Sequence, residues 1–248
     1  MTTTDLAILR ENVQRVRERI HRAAERAGRD PAAVKLMAVT KAHPEGTVRL
    51  ALQAGLTLLG ENRVQEAAAK YLPLLNERSD SVGEETIPAF QLHLIGHLQR
   101  NKAKAAVPLF ECVQSIDKLA TAEALDRSCG EAGKTIDVLV ELNTSGEESK
   151  FGFESDDELR RALPQIAGLA HLRVRGLMTV GPFTSEQERI RRAFAGLREL
   201  FEKLRREHPE LGFDTLSMGM SGDFEIAVEE GATMVRLGTV LFGPRNSG

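Results

Sequence analysis

Long uninterrupted apolar runs are missing from the 248 residues, and so is an apolar segment followed by a cleavage site near the N-terminus. The first absence argues against a bilayer span and the second against a secretory signal. Cysteine is scarce: Cys112 stands in an apolar strand-like run and Cys129 near the end of a helical run. Two thiols so placed suggest neither a disulfide framework nor a cysteine metal site, and a reducing cytoplasm is the simplest compartment. Excess positive charge is missing as well. The formal net charge is -3, whereas a general nucleic-acid binder would show a strongly basic face. The Arg-rich start does not read as a transit peptide, because Asp5, Glu11, Glu18 and Glu25 interrupt its positive charge. What remains is predicted to be a soluble, cytoplasmic protein with no membrane or nucleic-acid partner, suited to small-molecule chemistry.

With 42% hydrophobic residues the chain can bury a substantial core, and its length suits one barrel or two small domains. From Asp5, an N-cap, to Gly28, a C-terminal stop, Leu6, Leu9, Val13, Val16, Ile20, Ala23 and Ala27 recur at helical spacing. This stripe is predicted to pack on the body of the fold rather than form a dimer seam. Strand-like runs follow near 36–40, 57–60, 90–95, 110–114, 136–142, 173–178, 214–217 and 234–237, with helix-like intervals between most of them. No linker, repeat or low-complexity tract divides them. Eight alternations predict a single α/β domain over residues 1–248, a (β/α)8 TIM barrel with an extra N-terminal helix; a doubly wound open sheet is the alternative. The polar segment from Asn76 to Pro88 reads as a longer surface loop, and Ser185 to His208 as an outer helix.

Barrel enzymes place their sites at the C-terminal ends of the strands, so the residues there matter most. The run Leu36-Met37-Ala38-Val39 stops at Thr40 and Lys41 and is followed by His43-Pro44. A lysine held at such a strand tip can lose its charge near neutral pH and form a Schiff base with a carbonyl, although a solvated loop lysine has the same local sequence. Glu61 and Asn62 follow the second strand, His93 and Gly96 lie at the third, Gln114 and Ser115 at the fourth, and Asn143 at the fifth. After the seventh and eighth come Ser217-Met218-Gly219-Met220-Ser221-Gly222 and Arg236-Leu237-Gly238-Thr239. Glycines admit backbone N–H groups close to an anion and hydroxyls add donors, so the two loops together predict a phosphate cradle; tight turns alone would also use these glycines. His93 and His97 are four apart, but Gly96 between them and the missing acidic base speak against a zinc helix motif.

Taken together, these residues resemble the pyridoxal phosphate homeostasis (YggS/PROSC) family. The likeness runs through Ala38-Val39-Thr40-Lys41, Gly60-Glu61-Asn62-Arg63-Val64-Gln65-Glu66, His93 to Lys102, Asn143 with Lys150 and Gly152, Gly176-Leu177-Met178, Leu216 to Ser221, and Val235 to Thr239. Leu92 and Leu94 depart from it, standing where the family usually has aromatic residues on either side of the histidine. The resemblance implies a barrel like the alanine racemase N-terminal domain, with pyridoxal 5'-phosphate (PLP) bound as a lysine aldimine to Lys41. It implies that Gly238, Thr239 and either Ser217 or Ser221 bind the phosphate, that Asn62 lies near the cofactor, and that Arg236 faces the pyridine nitrogen. An always-charged arginine there keeps the nitrogen unprotonated and weakens the ring as an electron sink. The implied function is therefore a non-catalytic PLP carrier and regulator in intracellular PLP homeostasis, expected to be a monomer with PLP and PLP-dependent apoenzymes as partners. A PLP-dependent racemase-like enzyme is the alternative, and a PLP-independent lysine aldolase a third.

Overall fold

The structure, a computed structural model, describes residues 5–80, 87–147 and 150–244. Eight parallel strands close into a barrel in sequence order: β1 (Lys35–Val39), β2 (Leu58–Glu61), β3 (Gln91–Leu94), β4 (Cys112–Ile116), β5 (Ile136–Glu141), β6 (Leu172–Met178), β7 (Thr215–Ser217) and β8 (Met234–Leu237). Closure comes from β1 pairing with β8, where Ala38 stands opposite Leu237. The open-sheet alternative is thereby excluded, and each predicted strand lies within two residues of an observed one.

An outer layer of helices surrounds the barrel: α1 (Leu6–Arg26), α2 (Glu45–Gln53), α3 (Val64–Asp80), α4 (Ala103–Ala106), α5 (Leu119–Ala132), α6 (Asp156–Ala167), α7 (Gln187–Glu207), α8 (Phe224–Glu229) and α9 (Thr239–Phe242). Asp5 caps α1 by accepting from the Ala7 N–H, which satisfies one of the donors a helix start leaves unpaired. The extra helix packs on α2, α8 and α9 through Leu9, Val13, Val16, Ile20, Ala23 and Ala24, so its stripe is covered by its own chain. Its polar side is tied down by Arg19–Glu225 and Arg26–Glu229 ion pairs.

One sequence expectation is corrected. Asn76–Asp80 was expected to begin a long loop but continues α3. Buried Tyr71 and Leu74 flank Pro73 and carry the helix past it, while the polar residues beyond remain helical. Residues 81–86 of that expected loop lie outside the described residues.

Inside the barrel the filling is not wholly apolar. His93, Gln114, Ser217 and Arg236 are all buried. Interior polar groups of this kind require partners, and these partners define the floor of the site.

Candidate functional site

Lys41 stands two residues beyond the end of β1 and is half-buried. The main chain on either side of it is clamped from α3. Lys70 Nζ donates to Thr40 O at 2.8 Å, and the Ala42 N–H donates to Glu66 Oε1 at 2.5 Å. Ala42 takes a left-handed conformation, φ 62°, which alanine adopts only when its surroundings enforce it. Lys70 also pairs with Glu66 at 2.9 Å and with Glu61 at 2.5 Å. Glu61 accepts from Thr40 Oγ1 at 2.7 Å, and the Tyr71 hydroxyl lies 2.6 Å from the same Thr40 oxygen. Burial raises the Glu61 carboxyl above the usual carboxylate range, with Lys70 and Thr40 opposing it. Sequence reasoning missed Lys70 and Tyr71. Their signal was the i, i+4 spacing of Glu66 and Lys70 just beyond the second strand tip.

Across the β1–β8 seam lie the two loops in which the sequence places a phosphate cradle. A Cβ on Gly238 would sit 3.2 Å from Val39 O, so the loop after β8 passes directly against the strand that carries Lys41. Thr239 is exposed at the start of α9, and the Val240 N–H reaches Ser221 Oγ at 3.4 Å, joining the two predicted phosphate loops. Gly219 makes the crossing possible. Its φ is 92°, and a Cβ would fall 2.5 Å from that of Ala227, while its carbonyl accepts from the Arg236 N–H at 3.0 Å. The N–H groups of Ser221 and Gly222 have no hydrogen-bond partner among the described residues. Free N–H donors and a hydroxyl are the groups by which a loop can bind an anion.

The two candidate serines are not equivalent. Ser221 is half-buried at the cradle, whereas Ser217 is fully buried, accepts from Arg236 Nη1 at 2.7 Å and donates to Gln114 Oε1 at 2.7 Å. Arg236 is 4% exposed, and its Nη2 donates to Thr179 O at 2.7 Å. Burial pulls its guanidinium down to about 10, with Glu141 and Asp223 opposing, so it remains charged at neutral pH. Asn62 is half-buried, and its Oδ1 is a buried acceptor without a partner among the described residues, which suits a site that a polar ligand completes. His93 and His97 do not converge: His93 lies beside Gln114, while His97 stacks on Phe151 with ring centroids 4.0 Å apart.

Glu141, at the end of β5, is a further buried group that the sequence did not single out. Burial pushes its carboxyl up to about 7, reinforced by Asp117 and opposed by Arg236. The folded chain thus keeps a proton that the unfolded chain releases near pH 4.5, and stability falls as pH rises from about 5 to 7. Glu141→Gln is expected to flatten that fall, a difference of up to about 3 kcal/mol at pH 8. Urea unfolding across pH 5–8 checks it, and an unchanged slope would mean that this carboxyl ionises as readily folded as unfolded.

The closed parallel barrel is of the alanine racemase N-terminal class: the family model described as alanine racemase, N-terminal domain, matches residues 5–246. The chain is 41% identical over 243 residues to the pyridoxal phosphate homeostasis protein of Pseudomonas aeruginosa, with 98% of each covered. It therefore belongs to the pyridoxal phosphate homeostasis protein family. Among solved structures, PipY of Synechococcus elongatus with PLP bound is similar at a TM-score of 0.79 and 36% identity, over 95% of this chain and 100% of that one. A crystal structure from Bifidobacterium adolescentis has a TM-score of 0.87 and 36% identity, over 96% and 95% of the two chains.

Proposed function

We propose that this chain binds PLP at the C-terminal mouth of the barrel and acts as a carrier and regulator in PLP homeostasis. The observation that carries the reading is the placement of Lys41 and the cradle of Ser221, Gly238 and Thr239 on adjoining strands, with Arg236 held between them and the barrel floor. PLP offers an aldehyde, a dianionic phosphate and a pyridine nitrogen. Lys41 takes the aldehyde as a Schiff base, and Gly238, Thr239 and a serine take the phosphate. Ser221 fits that role better than Ser217, whose hydroxyl is engaged on both sides. Asn62 supplies an acceptor beside the ring, and Arg236 faces its nitrogen.

When bound, PLP supplies an electron sink, and a charged arginine at the nitrogen weakens that sink. Hence the carrier reading is preferred over a racemase-like enzyme. In this reading a single domain acts in the cytoplasm as a monomer and exchanges PLP with apoenzymes. Among the described residues no helix is long and apolar enough to cross a membrane. Robust turnover of defined amino acids by the purified protein would defeat the carrier reading in favour of the enzyme.

The deciding experiment is an absorption spectrum of the PLP-loaded protein before and after borohydride, followed by peptide mapping. The label is expected on Lys41, and a label elsewhere overturns the assignment. Arg236→Glu is expected to favour a protonated ring nitrogen and so to move the absorption band, while borohydride still fixes PLP to Lys41. An unmoved band would remove Arg236 from the ring nitrogen.

A further inference from the structure

Beneath the mouth, four buried side chains form one continuous chain of hydrogen bonds through the barrel. Arg236 Nη1 donates to Ser217 Oγ at 2.7 Å, Ser217 Oγ donates to Gln114 Oε1 at 2.7 Å, and Gln114 Nε2 lies 2.9 Å from His93 Nδ1. Gln114 Nε2 also lies 3.1 Å from Met234 Sδ. The first member sets the direction of the first link, and the Gln114 amide, with its oxygen toward Ser217, sets the rest. A guanidinium has only donors, so Ser217 Oγ must accept from it and has one proton left to give. That proton goes to the amide oxygen of Gln114, which fixes the amide's orientation and turns its NH2 group to the histidine. His93 Nδ1 must then accept, and the ring proton resides on Nε2. A neutral ring agrees with this, since burial pulls the His93 imidazolium down to about 4.

We infer that Gln114 is a positioning residue for Arg236: acting through Ser217 it fixes the rotation of the guanidinium at the barrel mouth, and on its other side it fixes the tautomer of His93. Gln114 has 0% exposure and lies on the floor of the site, so it acts through its neighbours rather than on a ligand. With Nη1 held by Ser217 and Nη2 by Thr179 O, the guanidinium plane is set at both ends. Removing the amide leaves the Ser217 proton without its acceptor. The hydroxyl then reorients, and one of the two anchors of Arg236 loosens.

The test uses the full chain. In the unloaded protein, 15N NMR is expected to show His93 protonated on Nε2 only and Arg236 with separate, slowly exchanging Nη signals. Gln114→Leu is expected to speed rotation of the Arg236 guanidinium by about tenfold. In the PLP-loaded protein it is expected to move the absorption band in the direction that Arg236→Glu moves it. Gln114→Glu keeps an acceptor for Ser217 but offers no proton to His93. Arg236 should then behave as in the wild type while the His93 proton moves to Nδ1. Combining Gln114→Leu with Ser217→Ala should change Arg236 no more than Ser217→Ala alone, because both act through one anchor.

The inference is overturned if Gln114→Leu leaves the Arg236 rotation unchanged, or if wild-type His93 carries its proton on Nδ1. Should Gln114→Leu fail to fold, the isosteric Gln114→Glu decides, and an unmoved His93 proton there sinks the idea. The spectral readout rests on the proposed contact of Arg236 with the PLP ring. If Arg236→Glu leaves the band unmoved, that contact is lost as a reading, while the two NMR readouts, taken without PLP, still judge Gln114.

Discussion

Lys41→Ala is expected to abolish borohydride-trappable PLP and the absorption of its Schiff base, with the fold retained. The side chain is half-buried at a strand tip, and the groups that shape its turn act on main-chain atoms: Lys70 on Thr40 O and Glu66 on the Ala42 N–H. Truncating Lys41 leaves both clamps in place. The unloaded variant should therefore still fold and unfold in one cooperative transition. The cradle around Ser221, Gly238 and Thr239 is untouched, so weaker, reversible PLP binding through the phosphate should survive, detectable by equilibrium dialysis. Two outcomes would count against this account. Undiminished trapping would assign the link to another lysine, and loss of all PLP binding would mean that the cradle does not hold phosphate.

The strands were legible because a parallel barrel strand is covered on both faces and so reads as a short apolar run, and the tip residues follow from where each run stops. Lys41, Gly238 and Thr239 could be picked out in this way. The end of α3 was not legible, since Asn76–Asp80 is polar and a polar helix end has the composition of a loop. Nor could the sequence choose between Ser217 and Ser221, four residues apart in one loop. That choice depends on Gln114, 103 residues away from Ser217, and on Val240, 19 residues from Ser221. Lys70 was hidden for a related reason. On α3 it reads as a solvated helical lysine, and only the closure of the helix over β1 and β2 turns it into the buried partner of Glu61 and Thr40.

That burial makes Lys70→Met the substitution expected to cost most in stability. Glu61 has 0% exposure, and its Oε2 has no hydrogen-bond partner among the described residues, so its charge is met through Oε1 by Lys70 at 2.5 Å and Thr40 at 2.7 Å. Methionine fills the volume of the lysine stem but leaves a buried carboxylate without a counter-ion, and Thr40 O without its side-chain donor. Breaking a buried pair in this way costs about 3–5 kcal/mol. The sign of the pH dependence follows from burial, which already raises the Glu61 carboxyl and is opposed only by the Thr40 hydrogen bond once Lys70 is gone. A raised carboxyl is destabilising where it must ionise, so the deficit of Lys70→Met should be largest near pH 8 and shrink as pH falls and Glu61 takes up a proton. Adding Glu61→Gln should recover most of the loss, because the double variant buries no charge at that position. Urea unfolding at pH 5 and pH 8 measures the wild type and both variants. A deficit below about 1 kcal/mol at pH 8 would mean that water reaches Glu61 when the lysine is removed. Because Lys70 and Glu66 also hold the main chain around Lys41, the double variant should regain stability yet still bind PLP more weakly than the wild type, separating the clamp on the lysine turn from the repair of the buried charge.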